Sequence, residues 1–224
     1  MPTSHTVQEG DSILSLADGS GLFPETIWND GANAGLREHR EDMNILLPGD
    51  VVVIPDIREK FEKRPTGKKH YFRRKGIPAL FRLQIFDMNV PVANQPYTLK
   101  VQGVEKQGKT DAEGILQEFV PASATEGEIQ YKDGEREVTL QVQFGYLDPL
   151  NEISGAQHRL TNLGYQCDSE FGVLNQETTD ALLDFQRDNK LPLSGQIDPA
   201  TKAKLEEIHD NPYRYPDPDS EAPA

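Results

Sequence analysis

A basic segment within an otherwise acidic chain limits how this sequence can fold. Residues 58–78 hold nine of the 23 Lys and Arg residues against two glutamates, whereas the whole chain has a formal net charge of −14. Pro65, Gly67, Gly76 and Pro78 fall in the same stretch, and residues of these types interrupt helices and strands. The segment therefore reads as a connector, and we expect several small domains rather than one core through 224 residues.

The charge balance also excludes some classes of partner. An acidic body repels nucleic acid over a Debye length of about 8 Å at physiological salt. The basic segment with Tyr71 and Phe72 leaves contact with phosphates and bases as an alternative, but docking against acidic protein surfaces is the favoured interpretation. No apolar run approaches the roughly 18 residues of a membrane helix. The sequence thus predicts neither a nucleic acid nor a membrane partner.

The reactive residues of the chain give no pattern typical of catalysis. Cys167 is the single cysteine, which excludes an intramolecular disulfide and a multi-cysteine zinc site. The five histidines are scattered, without the spacing of a zinc hydrolase. We therefore predict no catalytic residue, no metal and no cofactor. Residues 1–5 have neither a basic start nor an apolar stretch, so we expect no secretory signal and a cytoplasmic protein.

Composition and turn signals predict an α+β multidomain chain. The five predicted parts are a small αβ unit at residues 1–57, the basic connector at 58–78, a β-sandwich at 79–147, a three-helix bundle at 148–210 and a disordered, acidic, Pro-rich tail at 211–224.

The first part shows signals for two strands and two helices. Thr6-Val7 is predicted to form a short strand, and Asp11 to cap a helix with its apolar face inward. Pro24 suits the first turn of a second helix, and the β-branched run Val51–Ile54 suits a closing strand.

Two motifs in this part resemble the opening and close of a LysM domain, at His5–Ile13 and Leu47–Pro55. LysM domains bind glycans that contain N-acetylglucosamine, in a groove between two loops. The resemblance implies these groove residues: Gly10, Asp11, Ser12, Ile13, Asn44, Ile45, Leu46 and Leu47. The segment Gly31–Asp42 is longer than in that family, so a LysM fold used only for docking stays an alternative.

The middle part alternates apolar and polar residues as strands do. Leu80–Asp87 and Tyr97–Val101 show this alternation, and Thr110–Gly114 and Asp133-Gly134 are turn signals. About five short strands with such turns predict a small sandwich. The pattern is similar to carboxypeptidase-regulatory, transthyretin-like domains, which implies a structural spacer without a site.

The fourth part has helical spacing with clear boundaries. Gly164 is placed to end a first helix, Asn175 to cap a second, and Asp198-Pro199 to open a third. The motifs Gln157–Tyr165, Phe185–Gly195 and Asp198–Thr201 resemble the peptidoglycan-binding type 1 domain.

This second resemblance implies ligand contacts near and on the second helix, at Phe171, Gly172, Asn175, Thr178 and Gln186. Phe185, which the family motif also includes, is assigned to the core. Phe171 stands where the family usually has Asp, and Asn175 where it usually has Gly.

The order of the three modules resembles accessory proteins of bacterial type VI secretion and related contractile injection systems. The resemblance implies a non-enzymatic peptidoglycan-binding protein that links a spike or toxin to the cell wall, with delivery to the periplasm or a target cell left open. The alternative hypothesis is a cytoplasmic adaptor, chaperone or immunity-type partner that holds an effector and does not bind peptidoglycan.

Overall fold

A computed structural model describes residues 1–58, 61, 63–71, 78–87 and 90–210. The predicted tail at 211–224 and several residues of the predicted connector lie outside the described residues. The chain is α+β and divides into two compact units, Met1–Tyr146 and Leu147–Ala224. In the described part of the chain, every helix is too short or too polar to cross a membrane.

Residues 1–57, called the N-terminal module below, form a strand pair covered by short helices. The elements are β1 (Thr3–Thr6), α1 (Ile13–Ser20), α2 (Pro24–Trp28), a 3₁₀ turn (Gly31–Asn33), α3 (Ala34–His39) and β2 (Val51–Ile54). Strands β1 and β2 are antiparallel. The core of the module consists of Val7, Ile13, Ala17, Ile27, Leu46 and Val52. The predicted β2 is confirmed, and Pro24 opens α2 as predicted.

The start of α1 differs from the prediction. Ser12, and not Asp11, caps the helix: its hydroxyl accepts from Ser15 N at 3.1 Å, and the Ser15 hydroxyl accepts from Ser12 N at 2.9 Å. Asp11 instead accepts from Gln8 N and pairs with His5 at 2.7 Å. Its carboxylate is used in the turn before the helix, so the cap moves one residue on.

The long segment before β2 contains a helix that the sequence did not reveal. Asn33, which is 1% exposed, anchors this segment. Its amide donates to Ile27 O and Val53 O, and accepts from Val53 N, each at 2.8 Å. The segment is therefore tied into the module, and α3 follows it. The first strand also begins earlier than predicted, at Thr3.

The described residues between 78 and 146, called the β-domain, form eight strands rather than about five. They are β3 (Pro78–Gln84), β4 (Phe86–Asp87), β5 (Val90–Pro91), β6 (Pro96–Val101), β7 (Val104–Lys109), β8 (Ile115–Pro121), β9 (Glu126–Asp133) and β10 (Arg136–Gln143). A four-stranded sheet has the order β10-β9-β6-β7, and β3 pairs with β8 and β4 with β5. The predicted hairpin at Asp133-Gly134 is confirmed, with Gly134 at φ +60°.

The larger sheet and the β3–β8 pair share one core. Leu99 and Ile129 from the larger sheet are fully buried, and they cluster with Leu116 of β8. The alternation predicted for Leu80–Asp87 holds, because Phe81 and Leu83 pack on this core whereas Phe86 is half exposed. Tyr97 crosses between the sheets and donates to Glu118 at 3.0 Å.

The second unit, described from Leu147 to Asp210 and called the helical unit, has the three predicted helices. They are α4 (Ile153–Asn162), α5 (Gln176–Asp188) and α6 (Pro199–Leu205), followed by a π-helical turn (Glu206–Asp210). The caps Asn175 and Asp198 are confirmed, since each side chain accepts from the backbone N–H three residues on. Gly164 follows α4 at φ +90°, as a helix-ending glycine does.

Candidate functional site

One buried side chain, Gln157 of α4, forms hydrogen bonds with the backbone of the loop between α4 and α5. This side chain is 0% exposed. Its amide nitrogen donates to Glu170 O at 2.9 Å and to Val173 O at 3.2 Å. Its oxygen accepts from Gly172 N at 2.7 Å. Buried polar groups must find such partners, so a single glutamine fixes the backbone course of this loop.

The cap of α5 completes this support. The Asn175 side chain accepts from Thr178 N at 2.9 Å, and the Thr178 hydroxyl accepts from Gln157 at 2.8 Å. Ser169, at the other end of the loop, is bonded through its hydroxyl and its N–H to Glu177 of α5. The loop is therefore tied to both helices that flank it.

The side chains that this loop presents outward are apolar. Phe171 is 45% exposed, Val173 42% and Leu174 39%; we call these three residues the apolar loop surface. The ring of Phe171 lies 4.5 Å from that of His158, centroid to centroid. Asp148 N donates to His158 Nδ1 at 3.4 Å. One side of the phenyl ring therefore rests on a held imidazole while much of the ring stays open to solvent.

The sequence around the apolar loop surface is acidic. Between Arg159 and Arg187 the sequence contains five acidic residues and no Lys or Arg. Asp168 and Glu170 are exposed and lie in the loop itself. The loop thus combines open apolar side chains with two exposed carboxylates.

The predicted contacts in the helical unit are only partly on the surface. Phe171 and Gly172 are exposed, and Asn175 is half buried. Thr178 and Gln186 are 0% exposed. The structure therefore places these two side chains inside the unit, and their role as ligand contacts stays a prediction, while the assignment of Phe185 to the core is confirmed.

Gln186 is occupied by its own chain. Its nitrogen donates to Ser194 Oγ at 2.9 Å, Gln196 O at 3.0 Å and Thr201 Oγ1 at 2.9 Å, and its oxygen accepts from Ser194 N and Gly195 N. Every hydrogen-bonding position of the amide is used. Gln186 holds the α5–α6 loop as Gln157 holds the α4–α5 loop.

The predicted groove of the N-terminal module is also partly core. Ile13 and Leu46 belong to the core, and Ser12 is the helix cap. Ile13 N donates to Met43 O at 3.0 Å, which joins the two predicted groove walls. The side chains of Ser12, Ile13 and Leu46 are therefore turned inward, and their role in a glycan groove stays a prediction. The others, Gly10, Asp11, Asn44, Ile45 and Leu47, are partly accessible.

The first wall of that predicted groove lies against the β-domain. A Cβ atom at Gly145 would come 2.5 Å from the carbonyl oxygen of Gly10. A Cβ atom at Gly10 would meet Thr125 at 3.5 Å and the ring of Tyr146 at 3.8 Å. The loop before α1 therefore packs on the segment that follows β10, at a spacing that only glycine allows at Gly145.

The closing turn of the module is fixed by an ion pair. Asp50 accepts from Arg40 Nε at 2.7 Å and Nη2 at 2.9 Å, and from Leu47 N at 2.9 Å. Burial alone would raise the pKa of Asp50, but the hydrogen bonds from Arg40 and Leu47 outweigh it and hold that pKa below its ordinary value. Arg40 follows α3, so the extra segment contributes directly to this turn.

The comparisons with known proteins give a match for one part of the chain. Residues 150–205 match the model of a family described as a putative peptidoglycan binding domain. The match covers the helical unit, about a quarter of the chain. No curated protein and no solved structure matches the chain. The resemblances of residues 1–57 to LysM, of 79–147 to transthyretin-like domains and of the whole to injection-system accessories are not confirmed and stay predictions.

Proposed function

We propose that this chain is a non-enzymatic protein that binds peptidoglycan through its helical unit, with the apolar loop surface as the contact. One observation carries the proposal: the family match at residues 150–205 contains the loop whose apolar side chains point into solvent. Exposed apolar groups that cluster on a soluble domain commonly mark an interaction site.

The rigidity of the loop supports binding at this place. Because Gln157 and Asn175 already fix the loop, little backbone freedom remains to be lost when a ligand binds. Phe171, Val173 and Leu174 are therefore presented in one arrangement.

The chemistry of Cys167 supports a role without catalysis. The thiol is fully buried, 3.5 Å from Gln157 O and from Thr161 Oγ1. Burial raises the pKa of this thiol, which disfavours the thiolate that a nucleophile needs. Among the described residues, no three His, Cys, Asp or Glu side chains are grouped as a metal site requires.

Sedimentation with purified sacculi tests the proposal. The variant Val173→Asp places a charge on the apolar loop surface and keeps the backbone carbonyl that Gln157 uses. Leu193→Asp, in the α5–α6 loop, is the matched control, since Leu193 is 57% exposed. We expect the wild-type chain and Leu193→Asp to sediment, and Val173→Asp to remain largely in the supernatant. A wild-type chain that does not sediment contradicts the proposal.

We also propose the finer role of an accessory to a contractile injection system, in which the chain joins a spike or effector to the wall. Its support is the order of the three modules along the sequence. Co-purification from the native host with proteins encoded beside it tests this role. Recovery of a spike or toxin subunit would support it, and recovery of no such subunit would remove it.

A second candidate function is an adaptor that holds an effector protein without contacting peptidoglycan. The contact between Gly10 and Gly145 favours it, because the β-domain covers part of the predicted glycan groove. A stoichiometric complex with an effector, formed by a chain that is not retained on sacculi, would distinguish this function from the first.

A further inference from the structure

Peptidoglycan offers two chemically different ligands. Its glycan strand of N-acetylated amino sugars is uncharged, with apolar C–H faces on each ring. Its stem peptides carry free carboxylates. We propose that the apolar loop surface binds the glycan strand and not the stem peptide, an inference that rests on the proposed function.

The acidic residues near the apolar loop surface favour an uncharged ligand. Glu170 directly precedes Phe171, Asp168 lies three residues before it, and the sequence from 160 to 186 has no Lys or Arg. A stem-peptide carboxylate bound here would lie within a Debye length, about 8 Å at physiological salt, of these anions. The loop has no Lys or Arg to pair with the carboxylate, so the loss of its hydration would be poorly compensated. An uncharged sugar meets neither penalty.

The exposed ring of Phe171 favours a sugar as the ligand. Phe171 is 45% exposed although its ring contacts His158 at 4.5 Å. A ring held on one side and open on the other offers a flat apolar area, which matches the C–H face of a sugar. Val173 and Leu174 extend this area along the loop.

The main chain of the loop disfavours an extended peptide as the ligand. Gly172, at φ +82°, follows Phe171 directly, and its N–H is already bound to Gln157. The carbonyl groups of Glu170 and Val173 also accept from Gln157. These three groups are used internally, so they offer an extended peptide little main-chain pairing of the kind that peptide recognition uses. Recognition is left to the outward side chains.

Calorimetric titration of the full chain with the tetramer of N-acetylglucosamine tests the inference. We expect Phe171→Ala to weaken tetramer binding about tenfold, as loss of an aromatic anchor does, and Phe171→Tyr to preserve it. Leu193→Ala is the control for loss of an exposed apolar side chain from the same unit. Ile45→Ala is the control for binding in the N-terminal module. Neither control should change tetramer affinity by more than about twofold.

Salt and a second probe complete the test. Because the tetramer is uncharged, its dissociation constant should not change with a roughly tenfold increase in salt. A stem pentapeptide should not bind, and Glu170→Gln should leave the tetramer affinity unchanged.

Each other outcome overturns the inference in a recognisable way. If the chain sediments with sacculi but binds the pentapeptide and not the tetramer, the ligand is the peptide. The inference is then wrong, and the proposed function still holds. If Ile45→Ala, and not Phe171→Ala, abolishes tetramer binding, the glycan site is in the N-terminal module. If the chain binds neither sacculi nor the tetramer, both the proposed function and the inference are wrong.

Discussion

Arg159 in α4 is a buried cation whose charge is paired with the carboxylate of Asp210. The guanidinium is 1% exposed. It donates to Asp148 O at 2.9 Å, to Gly155 O, and to both oxygens of Asp210 at 2.8 to 3.0 Å. One side chain thus joins the beginning and the end of the helical unit. Removing one partner of a buried ion pair leaves the other charge uncompensated.

The first prediction is that Asp210→Asn destabilises the helical unit by about 2 kcal/mol, less than for a fully buried pair because Asp210 is partly exposed. Glu207→Gln is the control, since Glu207 pairs with Lys204 on the surface, and it should cost less than about 0.5 kcal/mol. Amide hydrogen exchange of α4 and α5 measures the effect. Equal effects of the two substitutions would contradict this interpretation of Arg159.

Asp210 also predicts how the helical unit responds to acid. Burial raises the pKa of this carboxyl, but the hydrogen bonds from His209 and Arg159 outweigh it, and the folded pKa lies below the ordinary value of 3.8. Its stabilising contribution is therefore complete above pH 3.8 and is lost as the pH falls through the lower folded value. We expect the protection factors of α4 and α5, which correct for the intrinsic pH dependence of amide exchange, to be lower at pH 3 than at pH 5, by a smaller factor in Asp210→Asn than in the wild type. An identical factor in both would contradict the assignment.

At the scale of elements, two helices each use one buried glutamine to support a loop. Gln157 and Gln186 are both 0% exposed, and each carries an amide that serves several backbone groups. A leucine at either position would fill similar space and leave those groups without partners, at a cost of about 1–3 kcal/mol for each unsatisfied group.

The third prediction compares these two glutamines. Gln157→Leu and Gln186→Leu should both destabilise the helical unit, but only Gln157→Leu should increase exchange at the Gly172 N–H and reduce retention on sacculi. The reason is that only Gln157 holds the apolar loop surface. If both variants lose retention equally at a temperature where both are folded, the loop is not the contact.

The sequence reveals the regular elements of the helical unit better than the roles of its polar residues. Asn175 and Asp198 are recognisable caps because short polar side chains followed by helical spacing have few other uses. The burial of Gln186 was also open to prediction, since it repeats the spacing of Thr178, Leu182 and Phe185 along the buried face of α5. The hydrogen-bond partners of Gln186 in the α5–α6 loop could not be predicted, because they depend on tertiary contacts.

Other elements left almost no signal in the sequence. Strand β7 is mostly polar and lies at the edge of its sheet, so the alternation that identifies a half-buried strand is absent. Helix α3 follows Gly31 and contains no fully buried residue, so it shows no apolar face. The exposure of Phe171 was predicted only through the second resemblance, which placed this residue among the ligand contacts, and not from the residue pattern of the loop.

At the scale of the whole molecule, the contact between Gly10 and Gly145 joins the N-terminal module to the β-domain. The fourth prediction is that Gly145→Ala destabilises the Met1–Tyr146 unit more than Gly134→Ala does. Both glycines have positive φ, at +78° and +60°, so both substitutions carry a similar backbone cost of about 1–2 kcal/mol. Only at Gly145 would the new Cβ meet another segment, whereas nothing lies within 4 Å at Gly134. Fluorescence of Trp28 during urea unfolding measures the difference, and equal midpoints would contradict the contact.

The central claim is that the helical unit contacts peptidoglycan through the loop before α5. Hydrogen exchange of the full chain, with and without solubilised peptidoglycan, tests it most directly because it reports on both predicted sites at once. We predict slower exchange in residues 168–176, with residues 10–13 and 44–47 unchanged. Protection at those two N-terminal segments, with none between 168 and 176, would contradict it.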